Sequence, residues 1–354
     1  MKNLLLLIIL SGFALVGFSQ TETLTWSDEF DGTGAPDPVK WGYDLGAGGW
    51  GNREVQTYTS ATLNSRQENG VLIIDAVKAG NTWTSARLLT NNKFEFKYGR
   101  VVFRAKLPVG IGTWPALWML GENFNSIGWP TCGEIDVMEH VGKDPGVVRS
   151  TLHTPSSYGN SVNTGTKTVS TVNTEFHNYQ VSWTYNRIEF RIDSVFYYAY
   201  NPATRNGQTW PFDKPFFIIM NIAMGGNMGS AAQYETGGLK NGIDPSLYMA
   251  RMEIDYVRVY QYPNAIDDSK GNDGGQGIEK STISPNPTNG KILVTVPTGH
   301  PVQGDIYNLA GINVFQFKSN NNTIDLDISS LPKGLYLVSL TSSGRSKTQK
   351  IVLH

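Results

Sequence analysis

The chain of 354 residues is longer than one typical domain requires, so one large domain or two unequal domains are expected. Its 29 Lys and Arg residues nearly balance 30 Asp and Glu residues. This balance gives no electrostatic basis for binding nucleic acid or an anionic membrane, and it suits a neutral ligand.

The amino terminus carries the first pattern with a clear interpretation. Lys2 precedes an apolar run over residues 4–18, which is shorter than the roughly 20 residues that a helix needs to cross a bilayer. With the small residues Gly17 and Ser19 at its end, the pattern predicts a secretory signal peptide over residues 1–19. The alternative is a short buried helix or an N-terminal anchor. No later segment is apolar and long enough to span a membrane, so we expect no span in the processed chain.

Residues 20–262 show the pattern of an all-β domain. Helical periodicity is almost absent, and short runs rich in Val, Ile, Phe, Tyr and Trp alternate with clusters of Gly, Pro, Asn and Asp. Strands are expected at 71–77, 95–106, 116–120, 134–140, 148–153, 177–184, 187–192, 215–223 and 252–261. Tyr185 and Asn186 should form a tight turn, and residues 245–250 are a weak helix candidate.

The composition changes after Tyr262. All nine Trp residues lie between Trp26 and Trp210, and residues 263–278 are rich in Asn, Asp, Ser and Gly, which is typical of a linker. Strand patterns resume at 291–296, 304–309, 313–318, 323–327, 334–339 and 346–353. We therefore expect a second, small β-sandwich over residues 279–354.

The strongest chemical signal is the trio Glu134, Asp136 and Glu139 in one strand-like stretch. Alternate residues of a strand face the same side, so Glu134 and Asp136 share a face. Glu139 joins them only if a β-bulge inserts one residue, and Met138 is the expected extra residue. The apolar residues at 135 and 137 should then point into the core.

Three like charges on one face disfavour joint ionisation, so their proximity suggests a purpose. Cleavage of a glycosidic bond needs one ionised and one protonated carboxyl group, about 5–5.5 Å apart in a retaining enzyme. Crowding by its neighbours should raise the pKa of Glu139 above the usual value of roughly 4.3. The alternatives are a calcium site or a solvated acidic edge, although calcium loops usually add Gly, Asn and carbonyl turns.

Aromatic residues surround this motif in the sequence. Trp114, Trp118 and Trp129 precede it, and indole rings pack well on the apolar C–H faces of sugars. His153 could hydrogen-bond the acids or the substrate. Cys132 lies two residues before Glu134; it could be a nucleophilic thiol, but a small buried side chain is the more common role.

Together these motifs resemble glycoside hydrolase family 16, and within it the laminarinase-like endo-β-1,3-glucanases. The similarity covers most of residues 24–262 and includes segments 26–32, 51–58, 97–101, 112–118, 133–140, 151–153, 221–227 and 252–260. The acidic motif with its extra Met is the most specific of these segments. The resemblance implies a concanavalin A-like jelly-roll β-sandwich with a concave cleft, and hydrolysis that retains the anomeric configuration.

The resemblance also implies roles for individual residues. Glu134 would be the nucleophile, Glu139 the general acid and then base, and Asp136 would position the nucleophile and share the proton. The glucose subsites would be lined by Asn52, Arg87, Trp114, Trp118 and His153. Catalysis would need no cofactor, but a structural calcium ion would bind the side chains of Glu29 and Asp255 and the carbonyl of Gly70. Oxygen ligands of this kind suit a hard cation.

The end of the chain resembles a different family. Segments 284–290 and 331–336, followed by a basic end, resemble the C-terminal sorting domain of type IX secretion. This resemblance implies the type IX secretion machinery as a partner, and a secreted or cell-surface location with removal of the tail. The alternative for the tail is a small carbohydrate-binding module.

Three functions remain open at this point. The first is an endo-β-1,3-glucanase that acts on laminarin-type β-glucan, as a monomer. The second is the same scaffold acting on mixed-linkage glucan or on a red-algal galactan; a sulfated galactan would favour a basic cleft, but the cleft segments offer only Arg53 and Arg87. The third is a β-glucan-binding protein without catalysis, although such relatives typically lack one or both glutamates.

Overall fold

The computed structural model describes residues 22–261, 278–296, 301–308, 312–342 and 345–354. The signal peptide predicted at 1–19 lies outside these residues. So does the predicted linker, apart from Ile278, which begins a short 3₁₀ helix (Ile278–Lys280). Across the described ranges, no helix is both long and apolar enough to cross a membrane.

Residues 22–261 fold almost entirely into β-strands. The strands are β1 (Thr23–Asp28), β2 (Gly42–Tyr43), β3 (Gln56–Tyr58), β4 (Ser65–Glu68), β5 (Val71–Ala79), β6 (Thr82–Ser85), β7 (Arg87–Leu89), β8 (Gly99–Lys106), β9 (Thr113–Gly121), β10 (Glu134–His140), β11 (Val147–His153), β12 (Thr164–Thr168), β13 (His177–Trp183), β14 (Ile188–Ile192), β15 (Val195–Tyr200), β16 (Phe216–Met224) and β17 (Met249–Gln261). The helical elements are α1 (Phe124–Ile127), α2 (Gly226–Gly229) and a 3₁₀ turn (Ala232–Tyr234).

These strands form two sheets. A ten-stranded sheet has the order β15-β14-β13-β8-β17-β5-β6-β3, with β1 beside β17 and β4 beside β5. A seven-stranded sheet has the order β12-β11-β10-β9-β16-β7-β2. All pairs are antiparallel except β3 with β6, and many neighbours are distant in sequence, which confirms the predicted jelly-roll type of sandwich.

One hydrophobic core joins the two sheets. The ten-stranded sheet contributes alternate residues such as Phe103 and Val181, and the seven-stranded sheet contributes residues such as Leu117 and Ile135. Strand β13 alternates buried and half-buried residues along its length, as a strand does when one face meets the core. By contrast, every residue of β16 is buried, and on its second face Phe217 and Ile219 pack with Leu89 and Leu120.

The seven-stranded sheet turns its other face to the site described below. Two small apolar clusters lie on that face. One contains Leu120, Phe217 and Ile219, and the other contains Trp114 and Ala223. Both clusters lie mainly on β9 and β16, and Cys132 and Val141 bring them to the two ends of β10.

The predicted strands are all present, with ends that differ by at most four residues. The tight turn at Tyr185 and Asn186 is also confirmed, because the Thr184 N–H donates to the Arg187 carbonyl at 2.9 Å. The weak helix at 245–250 was wrong. The Asp244 carboxylate accepts bonds from the N–H and hydroxyl of Ser246, which makes a turn, and the pairing of Met249 with Val77 already belongs to β17.

Several strands escaped the sequence analysis. Strand β12 shows why, since it is a polar, largely exposed strand at the edge of its sheet. Its pairing with β11 comes from tertiary structure, because the sequence Thr-Gly-Thr-Lys-Thr has no buried face to reveal it.

Residues 278–354 form separate, smaller sheets. Their strands are β18 (Thr282–Ser284), β19 (Lys291–Thr295), β20 (Val302–Asn308), β21 (Asn313–Ser319), β22 (Thr323–Asp327), β23 (Gly334–Ser342) and β24 (Arg345–Leu353). Sheets of order β18-β19-β22 and β21-β20-β23-β24 share a core of their own, which contains Ile292, Val294 and Val338. The predicted small β-sandwich is therefore present.

Candidate active site

A β-bulge on β10 decides where its three acids point. Asp136 pairs with Trp118 on β9, and Glu139 pairs with Ala116, so three steps along β10 match two along β9. The same shift occurs against β11. The predicted bulge is thus confirmed, and Glu139 lies on the same face as Glu134 and Asp136.

The register corrects one detail of the bulge. Met138 pairs with Leu117, so the residue of β10 without a partner on β9 is Val137 rather than Met138. Both apolar side chains are buried in the core. Burial of two consecutive apolar residues is the reason that the bulge forms at this point.

Glu134 and Asp136 converge on one imidazole. His153 Nε2 lies 3.5 Å from Glu134 Oε1 and 3.2 Å from Asp136 Oδ2. His153 stands directly opposite Glu134 because β11 pairs with β10 in that register. The sequence interpretation of His153 as a partner of the acids therefore agrees with its position.

Glu139 has different partners. Trp114 donates its indole N–H to Glu139 Oε1 at 3.0 Å, and the Thr151 hydroxyl lies 3.5 Å from Oε2. The Glu139 side chain is almost fully buried against the Trp114 cluster. Trp114 was predicted as a subsite residue, but the structure places its N–H on the carboxyl group of Glu139.

Burial raises the pKa of all three acids. Loss of hydration, followed by repulsion from Asp136, raises the pKa of Glu134 to about 8. Burial and then the charge of Glu139 raise the pKa of Asp136 well above its usual range. Burial also raises the pKa of Glu139, against the opposing effect of the Trp114 hydrogen bond. The predicted direction for Glu139 is confirmed, but the leading cause is burial and not crowding.

These shifts keep protons in the site near neutral pH. A cluster with one ionised and one protonated carboxyl group can attack a carbon and protonate a leaving oxygen at the same time. Cys132 offers no competing nucleophile, because it is fully buried and burial raises the pKa of its thiol to about 11.

A second polar cluster, centred on Glu54, lies beside the acids. Its carboxylate accepts hydrogen bonds from Gln56 Nε2 at 2.6 Å, from the Tyr58 hydroxyl at 3.2 Å and from Asn52 Nδ2 at 3.2 Å. The Tyr58 hydroxyl in turn accepts a bond from Asn221 Nδ2 at 3.0 Å. We call these five residues the Glu54 network.

The Glu54 network ends at an aromatic surface. Trp118 donates its indole N–H to Asn221 Oδ1 at 2.8 Å. The guanidinium of Arg87 lies 4.7 Å from the ring centre of Trp118 and 4.9 Å from that of Trp50, and it forms an ion pair with Asp44 at 3.0 Å. Arg87 therefore sits between two indoles, an arrangement that fixes both rings.

The predicted subsite residues fall into two groups. Trp114 and His153 contact the acids, whereas Asn52, Arg87 and Trp118 belong to or adjoin the Glu54 network. Sequence analysis missed several other residues of this surface: Glu54, Gln56, Tyr58, Trp50 and Asn221. The segments 51–58 and 221–227 had been noted as motifs, so the signal was present, but only Asn52 was taken from them.

On the opposite side of His153 lies an exposed aromatic pair. Trp129 is 40% exposed and meets Tyr158 edge to face at 5.4 Å, and its ring centre lies 5.6 Å from that of His153. Exposed aromatic rings next to buried acids are the arrangement expected where a sugar chain passes.

The predicted calcium ligands lie near the middle of β17, where its partner changes from β5 to β1. Asp28 pairs with Val257 and Ile254 pairs with Leu72, so Glu29, Asp255 and Gly70 each lie within two residues of these pairings. Both carboxylates already contact cations. Glu29 accepts two bonds from Arg258, at 2.7 and 3.0 Å, and Asp255 pairs with Arg104. The all-oxygen donor set suits calcium, but an ion would have to share or displace these arginines.

A sheet face with two glutamates of raised pKa beside aromatic side chains defines a glycosidase of the β-sandwich class. The family model of glycosyl hydrolases family 16 matches residues 50–258, and that of the secretion system C-terminal sorting domain matches residues 282–354. The chain belongs to glycosyl hydrolases family 16.

Three relatives illustrate the similarity. A beta-glucanase of Rhodothermus marinus is 43% identical over 281 residues, which cover 74% of this chain and 94% of that protein. A glucan endo-1,3-beta-glucosidase of Cryptopygus antarcticus is 33% identical, over 68% of this chain and 92% of that protein. The crystal structure of a laminarinase from Flavobacterium sp. UMI-01 superposes with a TM-score of 0.63 at 42% identity, and covers 68% of this chain and all of that one.

Proposed function

We propose that this glycoside hydrolase is an exported, retaining endo-β-1,3-glucanase that acts on laminarin-type β-glucans. The observation that carries the proposal is the bulged strand β10, which puts Glu134, Asp136 and Glu139 on one face with His153 and Trp114 as partners. Relatives named as laminarinase and as glucan endo-1,3-beta-glucosidase support the choice of substrate.

In the first chemical step, Glu134 attacks the anomeric carbon while Glu139 gives its proton to the leaving oxygen. Glu134 must be ionised to attack, and burial, followed by repulsion from Asp136, opposes this by raising its pKa. A proton held by Asp136 removes that repulsion, so Asp136 assists the nucleophile by retaining the proton. The charge of His153, when present, also favours an ionised Glu134.

In the second step, water attacks the glycosyl–enzyme bond and Glu139 accepts the proton of that water. The Trp114 N–H bond becomes stronger when Glu139 is ionised, because a charged acceptor binds a donor more tightly. Two displacements at one carbon restore the starting configuration, so retention follows.

The test is hydrolysis of laminarin by wild type, Glu134→Gln, Glu139→Gln and the exposed control Glu175→Gln. Loss of the nucleophile or of the general acid should lower kcat by about 10²–10⁴-fold, and the control should match wild type. The activity of Glu139→Gln should be reduced least on aryl glucosides with good leaving groups, because such leaving groups need no proton. NMR of the first product should show the β anomer.

The alternatives give different outcomes. A wild-type protein that binds laminarin but releases no reducing sugar would be a glucan-binding protein. Faster hydrolysis of mixed-linkage glucan or of a galactan than of laminarin would assign the second specificity.

The two ends of the chain bear on where the enzyme acts. The match to a C-terminal sorting domain indicates secretion or a cell-surface location. We add to this that residues 1–19 are a signal peptide, that type IX secretion removes the tail, and that the mature enzyme is a monomer. Mass spectrometry of the protein recovered from the medium, with its size by light scattering, tests all three.

We also propose that calcium stabilises the fold through Glu29, Asp255 and the Gly70 carbonyl. A ligand that binds only the folded state raises its stability in proportion to the logarithm of its concentration. Adding calcium to EDTA-treated protein should raise Tm by several degrees, and a Glu29→Gln, Asp255→Asn double variant should not respond. An equal response of this variant and wild type would contradict the assignment.

A further inference from the structure

Three potential metal-binding atoms meet in the active site. Glu134 Oε1, Asp136 Oδ2 and His153 Nε2 all lie within 4.8 Å of one another. Ligand atoms about 2.0–2.2 Å from a tetrahedral ion lie roughly 3.4 Å apart. The distances from His153 Nε2 to Glu134 Oε1 and Asp136 Oδ2, 3.5 and 3.2 Å, are close to this value. The cluster therefore has dimensions that suit the coordination of a metal ion.

Two of these groups lack the partners that buried polar atoms usually have. The Asp136 side chain is only 5% exposed, and its Oδ2 atom has no hydrogen-bond partner in the described structure despite the nearby imidazole. His153 Nδ1 is also buried without a partner. Buried polar atoms are usually hydrogen-bonded, so an unpartnered carboxylate oxygen aimed into the cluster points to a missing ligand.

The donor set selects among cations. Two carboxylates and one imidazole, with the 17% exposed Glu134 facing the cleft, match the three protein ligands and open position of a zinc site. An imidazole ligand favours Zn²⁺ or Cu²⁺ over Ca²⁺ and Mg²⁺, which prefer oxygen alone. We propose that Glu134, Asp136 and His153 form an inhibitory Zn²⁺ site, which the ion occupies in competition with the glucan.

Inhibition follows from the identity of the ligands. Coordination to zinc neutralises the negative charge that the Glu134 carboxylate needs in order to attack the anomeric carbon. The ion would also fill the space that the reacting sugar needs. Because the ion only coordinates, no bond in the protein is made or broken, and removing zinc should restore full activity.

The affinity should be moderate. Metal-binding histidines normally donate their second N–H to an acceptor, and loss of such a partner typically costs about 10–100-fold in affinity. His153 Nδ1 has none in the described residues. The positive charge of Arg87 also acts on Glu134 and opposes a cation. The site is thus suited to reversible inhibition and not to a resident metal.

The experiment is calorimetric titration of the full chain with ZnCl₂ in a non-chelating buffer, without substrate. The structure predicts one site in wild type and at least a tenfold weaker one in His153→Gln. The matched control is His177→Gln, since His177 lies on the ten-stranded sheet, is equally buried and bonds Thr171 and Asp193. This variant should bind zinc as wild type does.

Activity measurements provide the second readout. Zinc should raise the apparent KM for laminarin without lowering kcat, EDTA should reverse the effect, and calcium should not reproduce it. Glu134→Gln provides a further binding variant if His153→Gln does not fold. The calorimetric titration contains no substrate, so it can detect zinc binding even if laminarin proves not to be the substrate. Unchanged zinc affinity in a folded His153→Gln or Glu134→Gln variant, or no binding to wild type, would overturn the proposal.

Discussion

Replacing the nucleophile Glu134 with glutamine should stabilise the fold. The pKa of Glu134 rises from 4.5 to about 8 in the folded state, mainly because burial removes its hydration. Glutamine has nearly the same shape but no charge to bury. It can also donate its amide N–H to Asp136 or His153, which lie in contact with the carboxyl group.

The magnitude follows from the two pKa values. Between pH 4.5 and 8 the unfolded chain ionises Glu134 while the folded protein keeps it protonated, so the folded state binds more protons. Stability therefore falls as pH rises through this window, and is constant below and above it. Each pKa unit corresponds to about 1.36 kcal/mol, which gives a penalty of about 3 kcal/mol at pH 7 and an upper limit of about 5 kcal/mol above pH 8.

The assay is urea unfolding followed by Trp fluorescence at pH 4.5, 6, 7 and 8. All nine Trp residues lie between Trp26 and Trp210, so the signal reports only on residues of the catalytic sandwich. Glu134→Gln should match wild type at pH 4.5 and exceed it increasingly up to pH 8. Glu175→Gln, at an exposed position, should show no such trend. A Glu134→Gln variant that is no more stable at pH 8 than at pH 4.5, relative to wild type, would refute the reasoning.

Three other predictions concern the surroundings of the acids. Trp114→Phe removes the indole N–H that lowers the pKa of Glu139, so the alkaline limb of the pH profile of kcat/KM should move to higher pH; an unchanged limb would contradict the role of this bond. Glu54→Gln should raise KM severalfold with less effect on kcat, because the Tyr58 hydroxyl and its neighbours lose a charged acceptor. Steady-state kinetics on laminarin measures both constants, and a fall in kcat at unchanged KM would contradict this role. Truncation after Tyr262 should leave kcat and KM unchanged, since every site residue lies upstream; a folded but inactive product would disprove the two-part division.

Much of the site could be predicted from the sequence of strand β10, which carries the three acids. The alternation of acids and apolar residues along 134–140, with one residue too many, was enough to predict a strand, a bulge and a shared face. This works because side-chain direction in a strand has a period of two, so a break in that period has few structural explanations. Which residue becomes unpaired was not predictable, because Val137 and Met138 are both apolar and the neighbouring strands set the register.

The sequence by itself determined the fold class and singled out the carboxylates, and it predicts a division near residue 262, since each depends on local pattern. Tertiary structure alone decided which groups surround those carboxylates. The bond from Trp118 to Asn221 spans 103 residues and that from Asn221 to Tyr58 spans 163, so nothing local could place them together. The same holds for the raised pKa values, because burial of Glu134, Asp136 and Glu139 depends on how β9, β10, β11 and β16 pack and on the loops that cover them.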